Sequence, residues 1–308
     1  MKKIIYISIL VICVISFSSC NNKDEISPSI FDTSSNLNPN SAGYSFDLWL
    51  YTNYTKTYNL DFRYKLEDVT TNMDYNLVPV SFAKAQQIAK LVKYLWFDAY
   101  AAVLDSTFMQ ANGPKIISLI GSPAYNPNSG SMLLGTAEGG IKITLYNGNG
   151  MDVSNIDQLN WYYFRTMHHE FAHILNQKRN YPIEFAAISE GYYNSLNWTS
   201  MTATQAASLG FVTAYAGSEE HEDFVETLAN YLIKTDAQWN DLLDIASKPG
   251  IDATGVDLPD DGVDGKAKIL LKLNMVSKYL KDIWKLDIVQ LHNEIMKREA
   301  NINSVLNN

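Results

Sequence analysis

Apolar positions change their period several times along this 308-residue chain, and each change marks an element. Lys2 and Lys3 precede an apolar run, Ile4 to Phe17, that ends in the small residues Ser18, Ser19 and Cys20. Residues 21–43, rich in Asn, Ser and Pro, read as a flexible tether. From Tyr44 to Leu66 apolar and polar residues alternate loosely among many Tyr, Thr and Phe, which predicts strands. Behind Ser81 as N-cap, Phe82, Ala85, Ile88, Ala89, Val92, Leu95 and Trp96 share one helical face. Lys115–Ile120 and Gly140–Tyr146 read as short strands divided by the turn-rich segment Gly121–Gly130. Helices are predicted over about Asp157–Lys178, with Pro182 as a stop, over Glu219–Lys234 and over Lys266–Arg298. Strands, a helix, strands and then helices make an α+β order, in one domain spanning 44–300 with a tail at 301–308.

With 46% hydrophobic and 19% charged residues, the composition is that of a folded chain and excludes disorder. A formal charge of −9, with no basic cluster beyond the N-terminus, excludes a nucleic-acid partner. The apolar run is shorter than the roughly 20 residues a spanning helix needs, so residues 1–19 read as a cleaved signal peptide. A cysteine directly after the small residues matches the lipidated position of bacterial lipoproteins, which makes Cys20 the expected anchor in a membrane. Cleavage removes Lys2 and Lys3 and no acid, leaving 22 basic residues against 33 acidic ones, a formal −11. The other cysteine, Cys13, leaves with the signal, so the mature chain is expected to have no internal disulfide. Lys23, Asp24 and Glu25 after the anchor resemble the tag that takes Bacteroidetes-type lipoproteins to the cell surface.

The chemistry concentrates in the helix predicted over 157–178. His169-Glu170-Phe171-Ala172-His173 is an H-E-x-x-H sequence. Histidines at i and i+4 stand one turn apart on one face and can hold one Zn2+, while Glu170 can serve as general base toward the water the metal activates. This composition produces the pattern by chance about 0.003 times in such a chain, so a merely amphipathic helix is the weaker reading. His168 has no partner at that spacing and reads as incidental. Asn176 and Arg179 stand where an extended H-E-x-x-H-x-x-G-x-x-H site needs Gly and His, so the third ligand comes from elsewhere. Glu222 and Glu190 are the main candidates, with Glu226 and Glu219 behind them. On a helix Glu222 and Glu226 share a face, so one carboxylate can bind metal while the other takes the ring N–H of a ligand histidine. Tyr215, seven residues before Glu222, is placed to hydrogen-bond an oxyanion or simply to pack.

Asn112-Gly113-Pro114-Lys115, Leu134 to Gly140, the H-E-x-x-H segment and Glu222-Asp223-Phe224-Val225-Glu226 together resemble the zinc-binding metallopeptidase lipoproteins that accompany TonB-dependent outer-membrane import in gut-type Bacteroidetes. The likeness runs from about Tyr44 to Arg298. It implies a zincin-like metallopeptidase fold with a small N-terminal β-containing lobe, an H-E-x-x-H helix and a mainly helical C-terminal part. Carried over by position, His169, His173 and Glu222 become zinc ligands, Glu170 the catalytic base and Glu226 the carboxylate behind a ligand histidine. Tyr215 matches the spacing of an oxyanion tyrosine in some toxin-type zinc peptidases. The implied substrate is a peptide or protein, glycoproteins included, cleaved at the outer membrane facing the exterior, with a TonB-dependent import complex as partner. Zincin substrates commonly lie along an edge strand, for which Gly140–Tyr146 is the candidate. The alternative is a non-catalytic lipoprotein that captures peptide or glycan, using aromatics such as Trp161, Trp198 and Trp239, with a structural or vestigial zinc site. The intact Glu170 speaks against it, because structural zinc needs no base. Asp252–Asp264 lacks the order of a calcium loop and reads as solvated.

Overall fold

The computed structural model describes residues 37–66, 75–125, 132–133, 135–138, 141–250, 256 and 262–306. The signal segment, Cys20, the first part of the tether, most of Asp252–Asp264 and part of the Leu134–Gly140 motif lie outside them. The chain divides into two compact units, residues 1–48 and 49–308. Of the first, residues 37–48 are described, as turns leading into helix α1, Tyr44–Leu50. The second contains the rest of the description.

Where strands were predicted over Tyr44–Leu66, the chain is mostly helical. α1 runs on through a π turn, Tyr51–Thr55, and a last helical turn, Lys56–Tyr58, before strand β1, Asp61–Arg63. The reason is visible in the buried set, Phe46, Leu50, Tyr54 and Tyr58, which recurs every four residues and so defines one helix face. Tyr and Thr raise strand propensity locally, but burial at this period outweighs it. Asn59, with φ 52°, then turns the chain into β1.

Helix α2, Phe82–Val92, is capped by Ser81, whose hydroxyl accepts from the Lys84 N–H. It continues through a π turn, Lys93–Phe97, into Asp98–Val103, and α3 follows at Ser106–Asn112. The strands are β2, Ile116–Leu119; β3, Ala124–Tyr125; β4, Met132–Leu133; β5, Gly135–Glu138; and β6, Lys142–Leu145. The main sheet has the order β1-β2-β6-β5, parallel except for β5, which runs antiparallel to β6. This corrects the substrate-strand expectation: β6 is interior, and the edges are β1 and β5, of which β5 is short, glycine-flanked and unannounced by the sequence. Gly135 is needed there, because a Cβ would come within 2.8 Å of Thr166 Cγ2 on the helix beneath.

That helix starts at Ile156–Leu159, widens in a π turn, Asn160–Phe164, and continues as α4, Arg165–Lys178. Short α5, Glu184–Ala187, and α6, Ala203–Ser208, lead to α7, Glu220–Ile233, then α8, Asp236–Ala246; α9, Gly265–Trp284; α10, Ile288–Glu299; and α11, Asn303–Leu306. Among the described residues no helix is long and apolar enough to cross a membrane. The back of α4 is held by aromatic packing: Trp96 and Tyr100 meet Phe171 edge-on at 5.7 and 5.3 Å between centroids. α7 is fixed from its far side by a fully buried ion pair, Lys272 Nζ to Asp223 Oδ2 at 2.6 Å. The same ammonium donates to the Gly210 carbonyl at 2.7 Å, and Tyr193 Oη donates to Asp223 Oδ2 at 2.9 Å. These extra bonds compensate the desolvation of both charges.

One buried acid gives the fold a pH dependence of its own. Glu299 accepts from Asn160 Nδ2 at 3.0 Å, and burial raises its carboxyl to about 7, against the Asn160 bond and with the Asp157 charge. Unfolded, it titrates near 4.5. Between these values the folded state keeps a proton that the unfolded chain releases, so stability falls as pH rises through the window, by about 3 kcal/mol. Glu299→Gln keeps the accepting oxygen and never ionises. Calorimetry should therefore show it melting roughly 5 °C or more above wild type at pH 8 and with little difference at pH 4.5. Equal gains at both pH values would exclude ionisation as the cause.

Candidate metal centre

α4 and α7 pack face to face, and each presents one polar stripe to the other. On α4 the stripe is Arg165, His169 and His173, spaced four residues apart; on α7 it is Glu222, Glu226 and Asn230, spaced likewise. The imidazoles of His169 and His173 stand 4.8 Å apart between centroids. Their Nε2 atoms are 3.2 Å apart, and Glu222 Oε2 lies 3.0 Å from His169 Nε2 and 3.4 Å from His173 Nε2. His169, His173 and Glu222 therefore form a cluster able to hold a metal ion.

Two observations test this set against zinc. Tetrahedral zinc with bonds of about 2.0–2.1 Å puts its ligand atoms roughly 3.3–3.4 Å apart, the spacing of this triangle. Glu222 Oε2 is buried and makes no hydrogen bond despite two nitrogens at contact distance. An oxygen so placed is aimed at a shared point between three donors and not at either ring. The electrostatics agree. Burial alone would lower His169, yet Glu222 and Glu226 on either side raise it to about 9. The same negative field that draws a proton to the ring draws a metal cation. Glu222 itself sits far below the usual carboxylate range: burial works the other way, and the two histidines outweigh it. Its position in the first turn of α7 lets the helix dipole help.

Glu226, one turn on, is buried and accepts from four groups. His169 Nδ1 is 2.8 Å from Oε1, while Thr213 Oγ1, Asn230 Nδ2 and Arg165 Nη1 reach Oε2 at 2.7, 3.3 and 3.4 Å. Nδ1–H donated to this carboxylate leaves Nε2 with its lone pair toward the cluster. Glu170 lies beside the pair on α4, partly buried. Burial raises its carboxyl above the ordinary value against the pull of His169 and His173. The Tyr215 ring stacks alongside His169 at 5.9 Å and 25°, and Trp198 meets the Tyr215 ring edge-on at 5.0 Å.

The structure thus brings His169, Glu170, His173, Tyr215, Glu222 and Glu226 together. Glu190 is exposed on the turn after α5 and stands outside the cluster, and Glu219 is exposed at the N-cap of α7. His168, read as incidental, is a core residue. It is buried at 1% exposure against Trp96, with Nδ1 3.0 Å from the Tyr100 hydroxyl, and burial pushes it down to about 3. Of the tryptophans considered for stacking, Trp239 is buried, whereas Trp161 is exposed with Arg165 over its ring. Arg165 and Asn230 went unremarked in the sequence, although each lies one helical turn from a residue singled out there. Thr213 carried no such signal, because its contact comes from a loop.

Residues 40–289 match the family model described as "Putative zinc-binding metallo-peptidase". The chain belongs to this family. It is also similar to a crystal structure described as a putative zinc-binding metallo-peptidase from Bacteroides caccae, with 42% identity, a TM-score of 0.71, and 84% of this chain and 93% of that one covered. No curated protein matches the chain. The mixed fold, with a small largely parallel sheet and the H-E-x-x-H helix, is accordingly the α+β fold of this zinc-binding metallopeptidase family, and Zn2+ is its metal.

Proposed function

We propose that the protein hydrolyses peptide bonds with zinc held by His169, His173 and Glu222. The observation that carries this reading is the convergence of those three side chains with Glu170 on the adjoining position of α4. When bound, the ion supplies Lewis acidity, which acidifies water and polarises the scissile carbonyl. Glu170 takes a proton from the attacking water as its oxygen bonds to the carbonyl carbon. It returns that proton to the amine nitrogen as the C–N bond breaks. Burial raises the Tyr215 phenol above its ordinary value, with the Glu222 charge acting in the same direction, so it stays protonated and can donate to the oxyanion. Glu226 holds His169 in the tautomer that binding requires. β5, as the antiparallel edge of the sheet above α4, offers main-chain groups to an extended peptide. The description of the Bacteroides caccae relative supports a peptide or protein substrate. The test is mass-spectrometric digestion of a diverse peptide mixture by the zinc-loaded protein, with Glu170→Gln alongside.

The N-terminal pattern supports an outer-membrane lipoprotein that faces the exterior, and the family resemblance implies a TonB-dependent importer as its partner. Radiolabelled palmitate should enter the expressed protein and fail to enter Cys20→Ala, which should leave the membrane fraction. Equal labelling of both would remove Cys20 as the anchor.

A further inference from the structure

The turn that carries Tyr215 is joined to the metal centre through one hydroxyl. Thr213 Oγ1 is 2.7 Å from Glu226 Oε2 and 3.0 Å from the Ala216 backbone nitrogen. A threonine hydroxyl has one proton to give, and a backbone N–H can only donate. The direction of both bonds is therefore fixed: Ala216 N–H donates to Thr213 Oγ1, and Thr213 O–H donates to the Glu226 carboxylate. That carboxylate is the one that accepts His169 Nδ1–H at 2.8 Å.

Tyr215 sits inside this loop of contacts, between Thr213 and Ala216. Its 3₁₀ turn, Tyr215–Gly217, is anchored on the outside by Asn194 N–H to the Gly217 carbonyl at 2.8 Å and by Ser218 Oγ to the Tyr215 carbonyl at 2.7 Å. Neither bond touches the metal centre. Across the gap, among the described residues, the Thr213 hydroxyl ties this backbone to Glu226, whose other three side-chain partners come from α4 and α7, while the Tyr215 phenol itself faces Glu222. We propose that Thr213 is a positioning residue, which sets the phenol of Tyr215 against His169 by bonding its turn to the carboxylate that orients His169. Its kinetic consequence rests on the peptidase reading above; its structural consequence rests on these bonds alone.

Thr213→Val keeps the shape and deletes both bonds, while Glu226 retains His169, Asn230 and Arg165. In zinc-loaded protein labelled with 3-fluorotyrosine, the Tyr215 resonance, identified by its loss in Tyr215→Phe, should move in Thr213→Val and return in Thr213→Ser. kcat should fall about 10–100-fold in Thr213→Val, the range for a removed orienting partner, with KM and the zinc dissociation constant within about threefold. In a Tyr215→Phe background the same substitution should change kcat less than about twofold, because the group it positions is gone. An unmoved Tyr215 resonance, or an equal kcat loss in the Tyr215→Phe background, overturns the proposal. Wild-type protein that cleaves nothing overturns the peptidase reading instead, and the fluorine spectra still decide the placement.

Discussion

Glu222→Ala should leave a folded protein that no longer retains zinc. The triangle of His169 Nε2, His173 Nε2 and Glu222 Oε2 has sides of 3.0, 3.2 and 3.4 Å, so no remaining carboxylate can replace the missing corner without moving α7. Glu226 is the next acid on that face, and it is committed to His169 Nδ1 and three further donors. Loss of an outer partner typically costs 10–100-fold in metal affinity, and loss of a ligand should exceed that. The melting temperature makes the difference visible. Wild type should gain stability as zinc is added, about 4 kcal/mol at a thousandfold excess over its dissociation constant, whereas Glu222→Ala should gain nothing over the same range. Without zinc Glu222→Ala should melt below wild type at neutral pH, because the carboxylate it removes is held down by His169 and His173 and in turn raises His169. Glu190→Ala serves as the control and should bind zinc like wild type. Equal zinc content in Glu222→Ala and wild type, measured by atomic emission after dialysis, would remove Glu222 from the ligand set.

What could be read from the sequence follows from how local each signal is. His169, Glu170 and His173 are fixed by helical spacing within one element, and Glu222 with Glu226 by the same spacing in another, so these five residues are legible in the sequence while Arg165 and Asn230, which complete the two stripes, are not. The choice of Glu222 over Glu190 was not settled by local pattern. It depends on α7 lying across α4 while the turn after α5 leaves Glu190 in solvent. The strand order was equally hidden: β6 and β2 pair in parallel, with β5 added antiparallel outside, and a four-residue strand beginning at Gly135 has too little alternation to announce itself. The opposite failure occurred at Tyr44–Leu66, where residue type argued for strands while a four-residue burial period formed a helix. Buried partners joined through loops, such as Thr213 with Glu226 or Lys272 with Gly210, need the tertiary fold and have no linear signature.

Glu170→Gln should abolish peptide cleavage while zinc and fold remain. The amide has the shape of the carboxylate and cannot accept a proton from water, so proton transfer in both halves of the reaction is lost. General-base contributions of about 10²–10⁴ in rate set the expected loss, and activity in the peptide mixture should fall accordingly. Zinc should stay because Glu170 supplies none of the three converging atoms. Removing its charge weakens the local negative field, an effect of about tenfold at most on metal affinity for a charge that stays outside the ligand set. Burial already holds the Glu170 carboxyl above its ordinary value, with the neighbouring Glu222 and Glu226 charges adding to it, so a neutral amide relieves repulsion. The melting temperature should therefore match wild type or exceed it. A binding lipoprotein with vestigial zinc predicts the reverse combination, in which Glu170→Gln changes neither products nor peptide capture. Peptide termini that appear with wild type and vanish with Glu170→Gln, at equal zinc content, separate a catalyst from a binder; cleavage undiminished in Glu170→Gln would take the proton transfer away from this residue.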